Sequence, residues 1–289
     1  MALIPGDPAL ALLGPYATEA NLDRLRAQMA LDAPLWTRYF TWIGQVLQGD
    51  FGYAYSVDRP VAEELWERGR ATLLLASAGY LVCLLLGVGA GVFAAARQYT
   101  WIDRSLSVVS MVGISTPAFW LGLLFVMVFS IHLQWLPSGG IQTFGEDPSA
   151  GALLRHLALP ALTLGLVAAA LVARFVRTQM LEVLRLDFVR TARAKGAGEG
   201  RILWCHAVRA GIVPVLPVLG LQAGYVLGGA VYVETVFQWP GLGRMLVEAV
   251  TQRDLLLVQG GVLLVATAYV LVNLAADVLQ AVLDPRLQK

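Results

Sequence analysis

The sequence predicts an all-α polytopic membrane protein. Of its 289 residues, 57% are hydrophobic and only 14% are charged, whereas soluble domains average about 45–50% and about 25%. Five apolar runs without a formal charge, 17 to 27 residues long, are distributed along the chain. Because no water in the hydrocarbon core can satisfy backbone groups, we expect these runs to be helices.

The region 1–70, ahead of the first apolar run, is polar and mildly acidic. It holds six arginines against nine acidic residues, a balance that suits the non-cytoplasmic side of a membrane. Thr18 and Asn21 precede the apolar spacing of a short amphipathic helix, and the aromatic residues at 36–42 recur at helical spacing. We expect an extracytoplasmic segment of short helices here.

The apolar runs are the candidate membrane spans. A helix needs about 20 residues to cross the hydrocarbon core, with a range of about 17–25, so all five qualify and the third does so marginally. We expect their prolines Pro117, Pro160, Pro214 and Pro217 to kink or cap these helices. The runs are Thr72–Ala96, Ser105–Ile131, Leu157–Ala173, Ala210–Val233 and Leu255–Ala276.

The loops between the runs predict sidedness. Between Arg177 and Arg209 the chain carries seven Lys or Arg residues against three acids, and such a loop belongs on the cytoplasmic side. Alternation then places 97–104 and the C-terminus inside, and 1–70, 132–156 and 234–254 outside. Arg190 and Arg201 are therefore expected inside, and Glu146 and Asp147 outside.

Several kinds of catalytic and cofactor site find no support. The glycines of Gly87-Val-Gly-Ala-Gly91 follow an apolar helical run instead of a strand, so they favour close helix packing over phosphate binding. The chain has no P-loop, no nucleophile elbow and no metal-ligand spacing among His132, His156 and His206. We expect no enzyme activity, cofactor, metal site or nucleic-acid partner.

Polar residues near the spans leave two interpretations open. Gln222 and Tyr225 either line a central pathway or hydrogen-bond between helices. Glu234 either belongs to an outer re-entrant turn held by Pro240 and Gly241, or lines the pathway. A secondary transporter would need an intramembrane ion site or inverted repeats, and a membrane enzyme would need a catalytic constellation.

The basic loop also has an ordered pattern that membrane anchoring alone does not explain. Arg190-Thr-Ala-Arg-Ala-Lys-Gly196 is followed by Cys-His-Ala-Val-Arg209. This stretch resembles the docking loop of ABC importer permeases in the form of the peptide and nickel subfamily. Arg190-Thr191-Ala192 stands for the Glu-Ala-Ala of the general pattern and Gly196 is in place, while the Glu and a later Pro are absent.

The resemblance continues through the chain, in stretches such as Gln48-Gly-Asp-Phe-Gly52 and Val233-Glu-Thr-Val-Phe-Gln-Trp-Pro-Gly241. It implies the type I ABC importer helical bundle (MetI-like) over 71–289, with a cytoplasmic docking loop at about 177–211. Since family members carry a helix ahead of the segment that opens this chain, we expect a sixth, upstream span.

The function implied is a permease subunit that forms half of a dipeptide or oligopeptide pathway. Nickel or another small solute is the alternative cargo. The implied partners are a second permease subunit, two cytoplasmic ATPase subunits that hydrolyse ATP, an extracytoplasmic substrate-binding protein and membrane lipid. The residues implied in ATPase docking are Asp187, Arg190, Thr191, Ala192, Lys195 and Gly196.

Overall fold

A computed structural model describes residues 9–10, 18–28, 33–143, 145, 147 and 149–283. Two compact units divide the chain. One comprises Met1–Ala71 with Pro240–Thr267, and the other comprises Thr72–Trp239 with Ala268–Lys289. The first unit therefore takes in a later segment of the chain as well as the N-terminal region, which the sequence did not indicate.

The first unit begins with two short helices, α1 (Glu19–Gln28) and α2 (Leu35–Val46). A turn with positive φ at both Gly49 and Gly52 then leads into a two-stranded antiparallel hairpin. Its strands are β1 (Tyr53–Ala54) and β2 (Arg59–Pro60). The short helix expected after Thr18 is present as α1.

The core of this unit lies where the start of α3 (Val61–Val82) meets α12 (Leu242–Thr251) and the start of α13 (Leu255–Leu283). The buried carboxylate of Asp254 ties the hairpin to that core. Its Oδ2 accepts bonds from the backbone N–H and hydroxyl of Ser56, both at 2.9 Å. Its Oδ1 accepts from the Leu257 N–H at 3.2 Å, which caps α13.

The second unit contains most of the apolar runs. After Val82 the chain continues helically through a π-turn (Cys83–Val88) into α4 (Gly89–Ala96). The later elements are α5 (Trp101–Ser115), α6 (Ala118–Phe125) with a π-turn (Val126–His132), α7 (Ala150–Val183), α8 (Asp187–Ala194), α9 (Glu199–Arg201) with a π-turn (Ile202–Ala207), α10 (Val208–Gly211), a 3₁₀ turn (Val213–Val215) and α11 (Leu216–Val236).

Four helices in the described part of the chain are long and apolar enough to cross a membrane, and a bent pair makes up to five. The second apolar run is that pair, and the break expected at Pro117 is confirmed. The run bends by 108° between Ser115 and Ala118. Pro117 disfavours helical geometry at the residue before it, and Thr116 is extended, with ψ at 123°.

The third run is longer than predicted. Instead of ending at Ala173, α7 extends over 34 residues and includes Arg155, Arg174 and Arg177. Ser149 caps its start by accepting a bond from the Ala152 N–H. Pro160 lies inside this helix and does not end it, while Pro117, Pro214 and Pro217 lie at helix starts as expected.

The central helix of the second unit is α7. In its most apolar 18-residue stretch 67% of the residues are buried, whereas the same stretch of the other three long helices is 17–44% buried. Small residues permit its close packing. A Cβ added at Gly91 would come within 2.6 Å of Val176 Cβ, and one added at Gly165 within 2.5 Å of the Gly79 carbonyl oxygen. Close approach through glycine is thus confirmed at Gly87 and Gly91, whereas Gly89 and Gly228 face open space.

This contrast within one helix gives a matched prediction. Gly91→Ala places a methyl group against α7 and should destabilise the fold by about 1–3 kcal/mol, as other overpacked sites do. Gly89→Ala has open space around it and should be neutral or mildly stabilising, because alanine favours a helix over glycine. Thermal unfolding of the two detergent-solubilised variants measures the difference. Equal midpoints would contradict close packing at Gly91.

Candidate functional site

The predicted docking residues lie on one short helix, α8. It begins at Asp187 and ends at Ala194. Its first turn holds Asp187 and its last turn holds Arg193, charges that complement the helix dipole. Val189 is fully buried, while Asp187, Arg190, Thr191 and Lys195 are exposed and Ala192 is half-buried.

Gly196 ends this helix in the left-handed conformation, with φ at +80°. The Ala197 N–H donates to the Ala192 carbonyl at 3.1 Å, and the Gly196 N–H donates to the Arg193 carbonyl at 3.0 Å. These two bonds define a Schellman motif. No side chain or backbone atom outside its neighbours comes within 4 Å of a Cβ built at Gly196, so glycine is required here for its φ, not for space.

Packing and one ion pair hold α8 against the following segment. The helix packs against the next π-turn, and Val189 on α8 and Ile202 in that turn are both 0% exposed. Arg193 donates two bonds to Glu199, from Nε to Oε1 at 2.6 Å and from Nη2 to Oε2 at 2.9 Å. The Arg193 guanidinium holds the pKa of the Glu199 carboxyl below its usual range, so this pair is retained until the pH falls through that lowered value.

The exposed charges on α8 contribute little to its own stability. Arg190 lies 3.3 Å from Asp187, and both side chains are mostly exposed, an arrangement worth about 0–1 kcal/mol. Phe188 is 42% exposed beside them. The helix therefore presents one aromatic ring and several charges on a scaffold that other contacts hold in place.

An ion pair that the sequence did not predict joins Asp103 on α5 to Arg177 on α7. The Arg177 Nε and Nη2 atoms donate to the two carboxylate oxygens of Asp103 at 2.6 and 2.9 Å. Asp103 is 3% exposed and also accepts from the Tyr99 N–H at 3.0 Å. Arg177 therefore belongs to a helix anchor and not to the docking loop. In the sequence, the Thr100-x-x-Asp103 spacing is typical of a capped helix start and was the available sign that Asp103 has a structural role.

The candidate pathway residues do not share one environment. Tyr225 is 56% exposed on α11, and Gln222 is buried with its Oε1 lacking a hydrogen-bond partner in the described chain. Glu234 lies in the last turn of α11 and is 0% exposed, with the Thr72 hydroxyl donating to its Oε1 at 2.6 Å. Glu234 is thus a helical residue and not part of a turn, and pathway lining remains a prediction.

The histidines are separate from one another. His156 is buried, with Nδ1 3.0 Å from the Gly139 carbonyl oxygen and Nε2 3.1 Å from the Thr143 hydroxyl. It thereby positions the loop ahead of α7. Within the described ranges, no group of three or more His, Cys, Asp or Glu side chains could hold a metal ion.

Sequence comparisons identify relatives over nearly the whole chain. Residues 87–289 match the family described as binding-protein-dependent transport system inner membrane component. A Brucella suis relative provisionally named a peptide permease protein is 42% identical, covering 100% of this chain and 91% of the relative. The dipeptide transport system permease protein DppB of Alkalihalophilus pseudofirmus is 37% identical (99% and 91%). The glutathione transport system permease protein GsiC of Escherichia coli K12 is 40% identical (99% and 90%).

Solved structures of lower sequence identity share the fold. One is an inward-facing MetNI methionine ABC transporter, with a TM-score of 0.63 at 17% identity, covering 76% of this chain and 96% of that chain. Another is an amino acid ABC transporter, with a TM-score of 0.53 at 18% identity, covering 78% and 94%. The helical architecture is therefore that of ABC importer permeases.

A double-mutant cycle tests the Asp103–Arg177 anchor. Asp103→Asn leaves a partly buried guanidinium without its counter-charge and should cost about 3 kcal/mol of unfolding free energy. Arg177→Gln should cost a similar amount, and the double variant should cost less than the sum of the two. Unfolding in mixed detergent micelles gives the three values. Additive costs would mean that the two groups do not stabilise each other.

Proposed function

This chain belongs to the family of binding-protein-dependent transport system inner membrane components, and we propose that it forms half of an ATP-driven pathway for the uptake of dipeptides or oligopeptides. It is a multi-pass membrane permease subunit of an ABC importer. The proposal extends to a prokaryotic inner membrane, a second permease subunit, two cytoplasmic ATPase subunits and an extracytoplasmic binding protein. The observation that carries it is identity of about 40%, over nearly the whole chain, to permeases named for peptide, dipeptide and glutathione transport.

The α8 helix is the proposed contact with one ATPase subunit. Its exposed side offers Asp187, Arg190, Thr191 and Lys195 to a partner, while Val189 and the Arg193–Glu199 pair fix its orientation. In this mechanism the closure of the ATPase pair moves α8 as a rigid body. The spans then shift between inward-open and outward-open populations, because ATP binds the two states with different affinity.

The proposed pathway side of this chain is one face of α11. Leu221, Tyr225 and Tyr232 follow each other at helical spacing and are 65%, 56% and 63% exposed. Gly228 lies on the same face with nothing within 4 Å of an added Cβ. This face is open in the isolated chain, so Tyr225 is favoured over the buried Gln222 and Glu234 as a lining residue.

Replacement of Gly196 tests the docking role. Gly196→Val forces a β-branched residue to a φ of +80°, which costs about 1 kcal/mol or more and changes how α8 ends. ATP-driven peptide uptake and ATPase association should both fall, with normal membrane insertion. Arg190→Gln should be milder, since an exposed charge is worth about 0–1 kcal/mol.

Gly198 supplies the matched control for this experiment. Its φ and ψ are −65° and 148°, which valine adopts readily, and nothing lies within 4 Å of an added Cβ. Gly198→Val should therefore retain uptake and ATPase association. Full uptake in Gly196→Val at equal expression would mean that the loop serves only to anchor the membrane topology and not to dock the ATPase.

Cysteine labelling tests the sidedness that docking requires. In a background lacking Cys83 and Cys205, Asp147→Cys should react with an impermeant thiol reagent in intact cells, and Arg201→Cys should react only after permeabilisation. Both positions are exposed in the folded chain, so burial would not explain a failure to react. The neighbouring Glu146 lies outside the described residues. Reversed labelling would overturn the topology.

Ligand binding to the partner binding protein separates the cargo alternatives. A di- or oligopeptide should bind it, and a peptide of the same length should compete in uptake assays that use the complete transporter. Nickel uptake without peptide competition would overturn the peptide assignment and leave the permease assignment intact.

A further inference from the structure

A groove runs between α4, α5 and α7 in the second unit. It consists of two adjoining cavities of about 400 and 310 Å³. Ala90, Leu106, Ser110 and Ala173 line both of them. Because they share these walls, the two cavities are the two ends of one groove.

The two ends differ in chemistry. The larger cavity is lined by Ser107, Thr178 and two arginines, Arg174 and Arg177. Arg177 is paired with Asp103, whereas Arg174 is exposed and makes no ion pair in the described chain. The smaller cavity is lined mainly by apolar side chains, among them Val109, Trp120, Leu166 and Val167. The groove thus offers one uncompensated cation at one end and a hydrocarbon surface at the other.

Neighbouring aromatic residues indicate the depth of the cationic end. Arg177 bonds to Asp103, which in turn accepts from the Tyr99 N–H. Tyr99 and Trp101 are 73% and 75% exposed, as expected for aromatic side chains at a membrane–water interface. Further along α5, Val109 and Val112 line the smaller cavity and are 66% and 60% exposed, which suits contact with acyl chains. The arginines therefore lie at headgroup depth and the apolar end at acyl depth.

We propose that this groove binds an anionic phospholipid, with its phosphate beside Arg174 and an acyl chain against Val109, Trp120 and Val167. Basic pockets between transmembrane helices are suited to anionic headgroups. A peptide cargo fits the smaller cavity less well. Its backbone N–H and C=O groups would be left without hydrogen-bond partners there, because Ser110 and Thr116 are the hydroxyl-bearing residues of that cavity. The site does not depend on which cargo the transporter carries.

Native mass spectrometry of the purified transporter complex tests this site. The complex is titrated with dioleoyl phosphatidylglycerol or with dioleoyl phosphatidylcholine, and the lipids that remain bound are counted. Phosphatidylglycerol should be retained in preference to phosphatidylcholine. Arg174→Gln should weaken its retention by roughly five- to tenfold, the contribution of one basic residue at a lipid surface. Val167→Trp, which fills the apolar end, should also reduce it.

Arg185→Gln is the matched control, since Arg185 is an exposed arginine that does not line the groove. It should leave retention unchanged, and an equal loss in this variant would reveal a general basic surface and overturn the proposal. Displacement of the lipid by inorganic phosphate or by a dipeptide at matched concentration would also overturn it, in favour of a free-anion or cargo site. Photo-cross-linkable phosphatidylglycerol on the unaltered chain adds a readout independent of variant folding. Cross-links should map to 106–113 and 166–178, and their absence from both segments would overturn the site.

Discussion

The close approach of α7 to the helical stretch Thr72–Ala96 is the interaction on which the rest of the membrane unit depends. Inside a bilayer, lipid tails are as apolar as leucine, so helices associate through contact at short range and not through exclusion of water. Glycines at 79, 87, 91 and 165 allow the two helices to approach this closely, because an added Cβ at any of them would meet an atom of the facing helix at 3.0 Å or less. This packing buries α7 along most of its length. It thereby holds in place the chain segments that precede and follow the helix.

One end of α7 leads directly into the proposed docking segment. Met180 and Val183 are buried, and the Met180 Sδ would lie 2.9 Å from a Cβ at Gly211. Arg177 lies one turn before Met180 and is bound by Asp103, so α5 and α7 are joined near this end. A displacement of α8 by a partner would therefore act next to α5 and α7, two of the three helices that form the lipid-binding groove proposed here.

The sequence predicted the features that follow from local composition. Apolar runs indicated the long helices. The bend in the second run and the extension of α7 depend on local geometry and on distant partners, which composition does not reveal. Hydropathy does not distinguish a continuous helix from one that Pro117 bends by 108°. It also ends the third run before Arg174, although α7 continues and Asp103 pairs with Arg177 one turn later. The burial of Glu234 against Thr72 could not be predicted, because the two residues are 162 positions apart in the chain.

In the proposed docking helix α8, geometry matters more than charge. Its exposed pair Arg190–Asp187 contributes about 0–1 kcal/mol and is screened by salt, so it cannot by itself fix an orientation. A glycine-specific φ, two backbone bonds of the Schellman motif and the buried Val189 are all internal to the chain and independent of ionic strength. An element that transmits motion must keep its orientation while its partner changes state. The internal contacts meet that requirement, and they leave the surface charges available to select the partner.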